Sequence, residues 1–309
     1  MQQSKTFFNA KLLFSIAILF SFFTIGCTDN TTDPTPEPIL LKGFTQNYDG
    51  NKDSLSFDFE YTGNKLTKAT SYEDKDDANE LIFVYNSNGI DNVTVYESED
   101  NSIIKLQFEY NGNNLSKIIA TENGIVISSA NYIYLNGKLT SVSTVKYEDN
   151  KVSDSICSFD FTTNRPGIIE TYYFDDDSKK LRLTLKEKFI YQNGNLLEKY
   201  ELNKENNKWQ LREKRTFNNE KTIFSNIVDF ILLVNDEPYI PGNIDKNDFL
   251  TYESYYNYCN DETFEEAQLF SKDVYSYKRD NNSKITSIDI INEEYCGSTS
   301  YNTYVTLKY

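Results

Sequence analysis

Apolar and polar residues alternate in short segments along most of the chain. The pattern is clearest in residues 106–118, LQFEYNGNNLSKI, where the first five residues have the period of a strand with one buried face. Residues 111–114 are Asn and Gly, which adopt the positive φ of tight turns at low cost. The segment therefore predicts a β-hairpin. Ile118 lies three positions after Leu115, so either a bulge interrupts the returning strand or Leu115 belongs to the turn.

The same frame recurs as Tyr, four turn-type residues and an aliphatic residue, which we call the Tyr-x4-Leu frame. Its copies begin at Tyr61, Tyr85, Tyr110, Tyr134 and Tyr191, with degenerate copies at Phe161 and Phe217 and a longer-looped one at Tyr277. Repeats of this length hold two strands and two turns each. The predicted fold is all-β, an antiparallel meander of tandem β-hairpins that forms a large curled or flattened barrel-like sheet.

The first residues form a predicted signal peptide. Residues 1–26 contain Lys5 and Lys11, no acid, and an apolar run too short to span a bilayer comfortably. A transmembrane anchor or a buried strand is the alternative. Residues 24–27, Thr-Ile-Gly-Cys, resemble the lipobox of bacterial lipoproteins, although Thr24 stands where that motif usually has Leu. The resemblance implies cleavage before Cys27, lipidation of Cys27, and membrane attachment through that lipid.

Residues 27–42 are expected to be a tether, because residues 28–38 contain three prolines and no aliphatic or aromatic side chain. Its acidic residues resemble the surface-export signals of Bacteroidota lipoproteins. The expected location is the outer membrane, lipid-anchored, with the periplasmic and the surface-exposed side both open. Residues 43–309 then form one β-hairpin-repeat domain with an irregular insertion at about 228–273. Within the insertion, a capping-box pattern predicts a short helix at 263–270.

Two protein families resemble this organisation. The tyrosine-rich hairpins look like the YD repeats of Rhs-type proteins, although the Tyr-Asp pair is absent. The lipobox, the Tyr-x4-Leu hairpins, a late segment with Asn and Pro, and a terminal aromatic strand are more similar to Bacteroidota lipoproteins that carry a porin-like-fold domain of unknown function. The resemblance implies a fold and a compartment, and it provides no catalytic residue.

The composition restricts the chemistry. The chain has no His, which excludes His-based triads and His-ligated metals. Its net charge of −16 becomes −18 once Lys5 and Lys11 leave with residues 1–26, and this charge repels nucleic acid. Residues 49–60 match the acidic spacing of an EF-hand loop but lack its Gly and continue as a strand. We therefore predict no nucleic-acid partner, no cofactor and no metal site.

Three cysteines remain after Cys27. Cys157 shares its strand face with two phenylalanines, which predicts a buried thiol in the core. Cys259 and Cys296 both follow Tyr outside the regular hairpins, and we predict that they form a disulfide. Closing that loop would stabilise the fold by about 4 kcal/mol on the chain-entropy model.

Four tyrosines outside the repeat frame are candidate binding residues: Tyr252, Tyr255, Tyr256 and Tyr258. In a loop they could stack on sugar rings or dock a protein, and the alternative is packing against the sheet. The expected function is a non-enzymatic binding or structural role at the cell envelope, with a glycan or an envelope protein as partner. The alternatives are a carboxylate-dependent glycan hydrolase or an outer-membrane β-barrel protein.

A membrane-spanning barrel is the less favoured alternative. The predicted strands are shorter than a bilayer requires, and the returning strands carry Lys68, Lys117 and Lys199 near their middles. A lysine that faced lipid at mid-membrane would cost about 2–4 kcal/mol. We therefore expect a barrel-like sheet with its polar face in water.

Overall fold

The computed structural model describes residues 40–48, 54–72, 78–98, 101–148, 151–161, 166–175, 180–227, 233, 245, 247–259, 262–295 and 301–309. These residues form an 18-stranded antiparallel sheet in which each strand pairs with its sequence neighbours. The sheet closes on itself, because β1 pairs with both β2 and β18. The predicted all-β meander of hairpins that curls into a barrel is confirmed.

The strands differ in length around the barrel, and the expectation that they are shorter than a bilayer requires is wrong, because every strand from the sixth to the seventeenth has nine residues or more. Those of the first half are β1 Gly43–Tyr48, β2 Ser54–Thr62, β3 Lys65–Tyr72, β4 Ala78–Tyr85, β5 Ile90–Glu97, β6 Ser102–Asn111, β7 Asn114–Glu122, β8 Ile125–Leu135 and β9 Lys138–Glu148. Those of the second half are β10 Lys151–Phe161, β11 Pro166–Asp175, β12 Lys180–Gln192, β13 Asn195–Asn203, β14 Lys208–Lys221, β15 Asn247–Cys259, β16 Glu262–Arg279, β17 Ile285–Glu294 and β18 Tyr301–Lys308. A 3-10 helix, Ile223–Ile227, follows β14.

The Tyr-x4-Leu frame forms a tight turn followed by a bulge, which settles the choice that the sequence left open. In the hairpin of β6 and β7, Gly112 has a φ of 60°, and Tyr110 pairs with Leu115. The register then shifts, because Ser116 is an extra residue on the returning strand. Its hydroxyl donates a hydrogen bond of 2.9 Å to the carbonyl of Glu109. We call the end of the barrel that holds these turns the frame end, and the opposite end the far end.

The bulge decides which residues of each returning strand face inward. The second residue after the aliphatic position, such as Lys68 or Lys117, lies on the outer face. The third residue, such as Ile118, lies on the inner face and is buried. Lys199 is the third residue after Leu196, and it therefore points inward. The expectation that Lys199 belongs to the outer face with Lys68 and Lys117 is wrong.

A continuous apolar core fills the interior of β1–β9, β17 and β18, which we call the apolar interior. Phe44 packs on Phe57 with ring centroids 4.7 Å apart, and both side chains are at most 1% exposed. Phe224 of the 3-10 helix meets the ring of Phe44 edge-on at 6.4 Å. Ile227 of the same helix is fully buried. The segment after β14 thus enters the barrel and completes the core near the frame end.

The predicted insertion is shorter than the sequence indicated, and the predicted helix is wrong. Regular strand structure returns at Asn247, and β15 and β16 occupy most of the range 228–273. Residues 263–270 belong to β16, where Leu269 pairs with Tyr255 and Gln268 with Tyr256. A capping box alone contributes little to helix stability, whereas pairing on both sides provides β16 with hydrogen bonds along much of its length.

Charged residues lie on the outer face around the barrel. They include Lys68 on β3, Lys105 on β6, Lys117 on β7, Lys188 on β12, Lys214 on β14, Glu253 on β15 and Asp289 on β17. Several form cross-strand ion pairs, such as Lys68 with Glu80 at 2.6 Å. This arrangement is the reverse of a transmembrane β-barrel, in which the outward band is apolar.

Within the described part of the chain, no helix has the length and apolar character needed to cross a membrane.

Candidate functional site

The outer face of strands β11–β17 carries a repeated side-chain pair. On every second strand, a Tyr hydroxyl donates a hydrogen bond to the carboxylate of the Glu two residues earlier, because residues i and i+2 of a strand share a face. The pairs are Tyr172 with Glu170 at 2.7 Å, Tyr200 with Glu198 at 2.7 Å, Tyr255 with Glu253 at 2.8 Å, and Tyr295 with Glu293 at 2.8 Å. The intervening strands carry outward lysines instead.

Three of these glutamates form a row with the lysines between them, which we call the charge row. Strand register places Glu198 beside Lys214, Lys214 beside Glu253, Glu253 beside Lys272, and Lys272 beside Glu293. The row therefore alternates in sign across β13–β17. The ammonium of Lys272 lies 3.5 Å from the Glu253 carboxylate.

The next outward row toward the far end is apolar and aromatic, and we call it the tyrosine row. It consists of Tyr200, Leu211, Tyr255, Leu269 and Tyr295. Tyr200 pairs directly with Leu211, and Tyr255 pairs directly with Leu269. The backbone amide of Tyr295 donates to the carbonyl of Phe270, which fixes Tyr295 at the same level.

The tyrosines occur on β13, on β15 and directly after the end of β17, so successive rings are about two strands apart. Neighbouring strands are about 4.8 Å apart, which gives a spacing of roughly 9–10 Å between successive tyrosines. Tyr295 is 52% exposed, and the other two side chains are partly exposed. Lys188 approaches the ring of Tyr200 at 5.7 Å, a cation–π contact at the end of the row.

The hydrogen bonds to glutamate contribute to a raised pKa at each phenol. The bond to Glu198, with some burial, raises the pKa of Tyr200 to about 12. Burial, together with the bond to Glu253, raises the pKa of Tyr255 to about 12. The bond to Glu293 also raises the pKa of Tyr295. At neutral pH all three hydroxyls are therefore donors held in place by a carboxylate.

The four tyrosines selected from the sequence lie in strand β15 and not in a loop. Tyr255 faces outward in the tyrosine row, whereas Tyr252 faces inward, with the Arg215 guanidinium 5.8 Å from its ring. Tyr256 packs on Phe270 with centroids 4.8 Å apart. Tyr258 belongs to β15, and its side chain lies outside the described part of the structure.

Sequence reasoning missed Tyr200 and Tyr295, which complete the row. The signal that could have found them is the spacing Glu-x-Tyr, which recurs as residues 170–172, 198–200, 253–255 and 293–295. In a strand this spacing places a carboxylate and a phenol side by side on one face. Tyr96 and Tyr147 also face outward, but they follow Thr94 and Val145, which provide no carboxylate.

The inner face of β12–β16 is charged, and we call it the charged interior. The Lys199 ammonium lies 2.7 Å from Glu187 and 3.7 Å from Glu213. Arg215 forms an ion pair with Glu213, and its guanidinium is 3.5 Å from Asp245. Burial opposes ionisation of Glu213, but Arg215 and Lys199 hold its pKa below the ordinary value.

Two buried carboxyl groups border this network. Asp273 accepts a 2.6 Å hydrogen bond from Asn292, and Asp248 accepts one of 3.3 Å from the backbone amide of Ile223. Burial raises the pKa of each carboxyl to about 6. Asp248 thereby fastens the 3-10 helix to β15. Among the described residues, no group of three or more Asp, Glu or Cys is arranged to hold a metal ion.

The cysteine predictions are only partly within the described structure. Cys157 is present as a thiol on the inner face, 3.6 Å from the hydroxyl of Thr171. Cys27 and Cys296 lie outside the described residues, and only the backbone of Cys259 is described, at the end of β15. Lipidation of Cys27 and the disulfide between Cys259 and Cys296 stay predictions. Residues 49–53 of the acidic segment are also outside the described residues.

Neither a protein-family model nor a curated protein matches the sequence. Among solved structures, a porin-like protein from Bacteroides uniformis has 11% identity and a TM-score of 0.41, over 87% of this chain and 97% of that one. A porin-like protein from Bacteroides vulgatus has 12% identity and a TM-score of 0.39, over 87% and 98%. The TcdB2-TccC3-TEV structure has 8% identity and a TM-score of 0.34, over 77% of this chain and 13% of that one. These likenesses are too distant to indicate a function.

Proposed function

We propose that this protein is a non-enzymatic binding protein of the bacterial cell envelope. A lipid on Cys27 holds it at the outer membrane, the barrel stands in water, and the outer face of β11–β17 binds a glycan or an envelope protein. The observation that carries the proposal is the set of Glu-x-Tyr pairs, which hold phenol rings in place on one side of the barrel. Rings that are already ordered cost less conformational entropy when a partner binds.

The polarity of the outer face supports a barrel in water. Lysines such as Lys105 and Lys117 lie on outward positions within strands, where burial in lipid would cost about 2–4 kcal/mol each. The outer face also includes exposed apolar residues such as Ile133, and some of them are cross-strand neighbours, such as Phe174 and Leu181. A water-exposed barrel needs a separate membrane anchor, which the lipid on Cys27 provides.

The point of chain entry supports a partner site that the anchor leaves accessible. Leu41 precedes β1 at the frame end, is fully buried, and accepts a 2.6 Å hydrogen bond from the hydroxyl of Tyr61. The tether before it, extended over residues 28–38, reaches on the order of 35 Å. The tyrosine row lies on the far-end side of the charge row and is therefore farther from the point of chain entry than the charge row is.

The state of the inward carboxylates supports a role without catalysis. Glu187 and Glu213 share the ammonium of Lys199, and Asp245 faces Arg215, so these groups act as ion-pair partners. A glycan hydrolase needs a carboxylic acid and a carboxylate on either side of a reachable sugar. The two carboxyl groups with raised pKa, Asp248 and Asp273, are almost completely buried and hold other parts of the barrel.

Binding and hydrolysis can be tested together on the purified chain. It should co-sediment with isolated envelope material and release no reducing ends from envelope polysaccharide. The triple variant Tyr200→Ala, Tyr255→Ala, Tyr295→Ala should lose co-sedimentation while its unfolding curve stays close to wild type. Equal co-sedimentation by the triple variant, or reducing-end release that one Asp or Glu substitution abolishes, would contradict the proposal.

The anchor has its own test in cells. Replacing Cys27 with Ala removes the only predicted lipid attachment point, so the variant should move from the membrane fraction to the soluble fraction. Ser at the same position serves as a second variant. A Cys27→Ala protein that remains with the membranes would show that something other than the lipid holds it there.

A further inference from the structure

We propose that the partner of the tyrosine row is an extended, uncharged, β-linked glycan that lies across strands β13–β17. Alternate sugar rings would rest on Tyr200, Tyr255 and Tyr295, with Leu211 and Leu269 beneath the rings between them. The inference deepens the proposed function and rests on it, because it takes the outer face of β11–β17 as the binding surface.

The spacing of the tyrosines selects the shape of the glycan. The three rings are successive steps of about two strands, roughly 9–10 Å each, in a row that follows the outward curve of the closed sheet. In an extended β-linked polysaccharide, every second sugar presents the same face, and two sugar units have a length close to this step. Equivalent sugar faces can therefore meet equivalent tyrosines. An α-linked chain lacks this alternation of faces, so equivalent sugar faces do not recur at the spacing of the tyrosines.

The charge row selects a ligand without net charge. Its residues alternate as three glutamates and two lysines, from Glu198 to Glu293, beside the tyrosine row. Sugar hydroxyls both donate and accept hydrogen bonds, so a neutral chain finds an acceptor at each Glu and a donor at each Lys. A polyanion or a polycation would meet a like charge at every second position, which disfavours it. The protein's net negative charge disfavours polyanions further.

The hydrogen bonds within each Glu-x-Tyr pair prepare the surface for this ligand. Each bond leans the ring along its strand toward the charge row and restricts its rotation. Less side-chain entropy is then lost when a sugar stacks on the ring. The binding surface is thus present before the glycan arrives, and affinity should depend on how many rings one chain reaches.

Calorimetry on the full purified chain tests the proposal. The probes are β-1,4-linked oligosaccharides of glucose, N-acetylglucosamine, xylose and mannose from two to six units. An α-1,4-linked glucose series and polygalacturonate serve as shape and charge controls. At least one β-linked series should bind with an affinity that rises with length until the chain reaches all three rings, at about five units. Neither control should bind measurably.

Single variants test the role of the rings. Tyr255→Ala, at the centre of the row, should weaken the longest bound oligosaccharide by roughly threefold to tenfold, the range expected for one aromatic contact. Tyr255→Phe keeps the ring but loses the hydrogen bond to Glu253, so it should weaken binding less than Tyr255→Ala does. Tyr295→Ala should act in the same direction, and its exposed position makes a folding defect improbable. Tyr96→Ala, an outward tyrosine on β5, is the matched control and should change nothing.

The outcomes separate this inference from the proposed function. If no β-linked series binds but the triple alanine variant still loses co-sedimentation with envelope material, the glycan inference is wrong and the binding function stands. If an oligosaccharide binds equally well to wild type and Tyr255→Ala, or if affinity does not change with chain length, the inference is also wrong. If neither binding nor co-sedimentation occurs, both proposals fail.

Discussion

The apolar interior and the charged interior place different side chains on the same repeated backbone. In both regions a hairpin turn is followed by a bulge, and the third residue after the aliphatic position faces inward. That residue is Ile118 on β7 and Lys199 on β13. Strand pairing and bulges determine which side chains lie on the inner face. The repeat can therefore hold an apolar side chain or a lysine at the same position, provided that neighbouring strands supply carboxylates for the lysine.

The comparison also shows what a charged interior requires. Phe57 needs only apolar neighbours, and the effect of its burial is nearly independent of pH and salt. Arg215 needs Glu213 on its own strand and Asp245 from the segment between β14 and β15. Charged groups in an interior are stabilising only while every partner is present. The two regions should therefore respond differently to the loss of one side chain and to a change of pH.

The largest effect is expected in the apolar interior. Phe57→Ala removes a ring that is 1% exposed and packed on Phe44, so the free energy of unfolding should fall by about 3–5 kcal/mol. Urea unfolding of the purified chain measures it. Lys105→Ala, on the outer face, should stay within about 0.5 kcal/mol of wild type. A loss below 1 kcal/mol for Phe57→Ala would mean that the interior repacks freely.

Arg215→Met should cost about 3 kcal/mol, near the lower end for a broken buried ion pair. The variant leaves Asp245 buried without its cation, whereas Glu213 still lies 3.7 Å from Lys199. Adding Asp245→Asn should restore part of the loss, because it removes the uncompensated charge. Urea unfolding of the single and double variants checks this. If the double variant is less stable than Arg215→Met, the charged interior is not held by this pair.

The fold could be predicted from the sequence to the level of the hairpin. The Tyr-x4-Leu frame indicates strand and turn, because these depend on residues that are neighbours in sequence, and it leaves a bulge as one of two possibilities. Closure through β1 and β18 joins residues at opposite ends of the chain, and no local pattern specifies it. The helix predicted at 263–270 failed for the same reason, since strand pairing with β15 outweighed a local capping signal.

The binding surface was less predictable than the fold. The sequence indicates Tyr255 as a binding residue only because several tyrosines lie close to it. That cluster does not distinguish the outward Tyr255 from the inward Tyr252. The tyrosine row depends on register across several strands, including the bulge at Arg212 that lets Leu211 pair with Tyr200. The charged interior could have been predicted from the sequence, because Lys199 occupies the position in its repeat that Ile118 occupies in another copy.

A third prediction distinguishes the two interiors by pH. Burial raises the pKa of Asp273 from 3.8 to about 6 in the folded protein, so ionisation above that pH weakens folding. Below pH 4 the carboxyl is protonated in both states and has no differential effect. Between pH 4 and 6 the folded state binds more protons, so the contribution of Asp273 to stability falls as pH rises. The shift corresponds to about 2–3 kcal/mol.

Asp273→Asn removes that titration and keeps an oxygen that accepts from Asn292. The stability of the variant relative to wild type should therefore increase by about 2–3 kcal/mol between pH 4 and pH 7. Phe57→Ala, measured over the same range, should show a constant difference from wild type. A flat profile for Asp273→Asn would mean that the carboxyl titrates normally despite its burial.

The smallest effect should be the same in both regions, because it concerns the backbone that they share. Ser116 on β7 is the extra residue at the bulge after its frame turn, and Thr184 on β12 is the extra residue at a bulge of the β11–β12 hairpin, whose turn lies at the far end. Each hydroxyl donates to a carbonyl on the partner strand, at 2.9 Å and 3.0 Å. Ser116→Ala and Thr184→Val should each cost about 0.5–1 kcal/mol, the net value of one such hydrogen bond. Ser116→Thr and Thr184→Ser keep the hydroxyl and should retain the stability of wild type. Urea unfolding resolves this difference when all four variants are measured together. A difference of more than about 1 kcal/mol between the two hydroxyl deletions would contradict this expectation. It would mean that the stability of each bulge depends on the side chains that fill the barrel beside it.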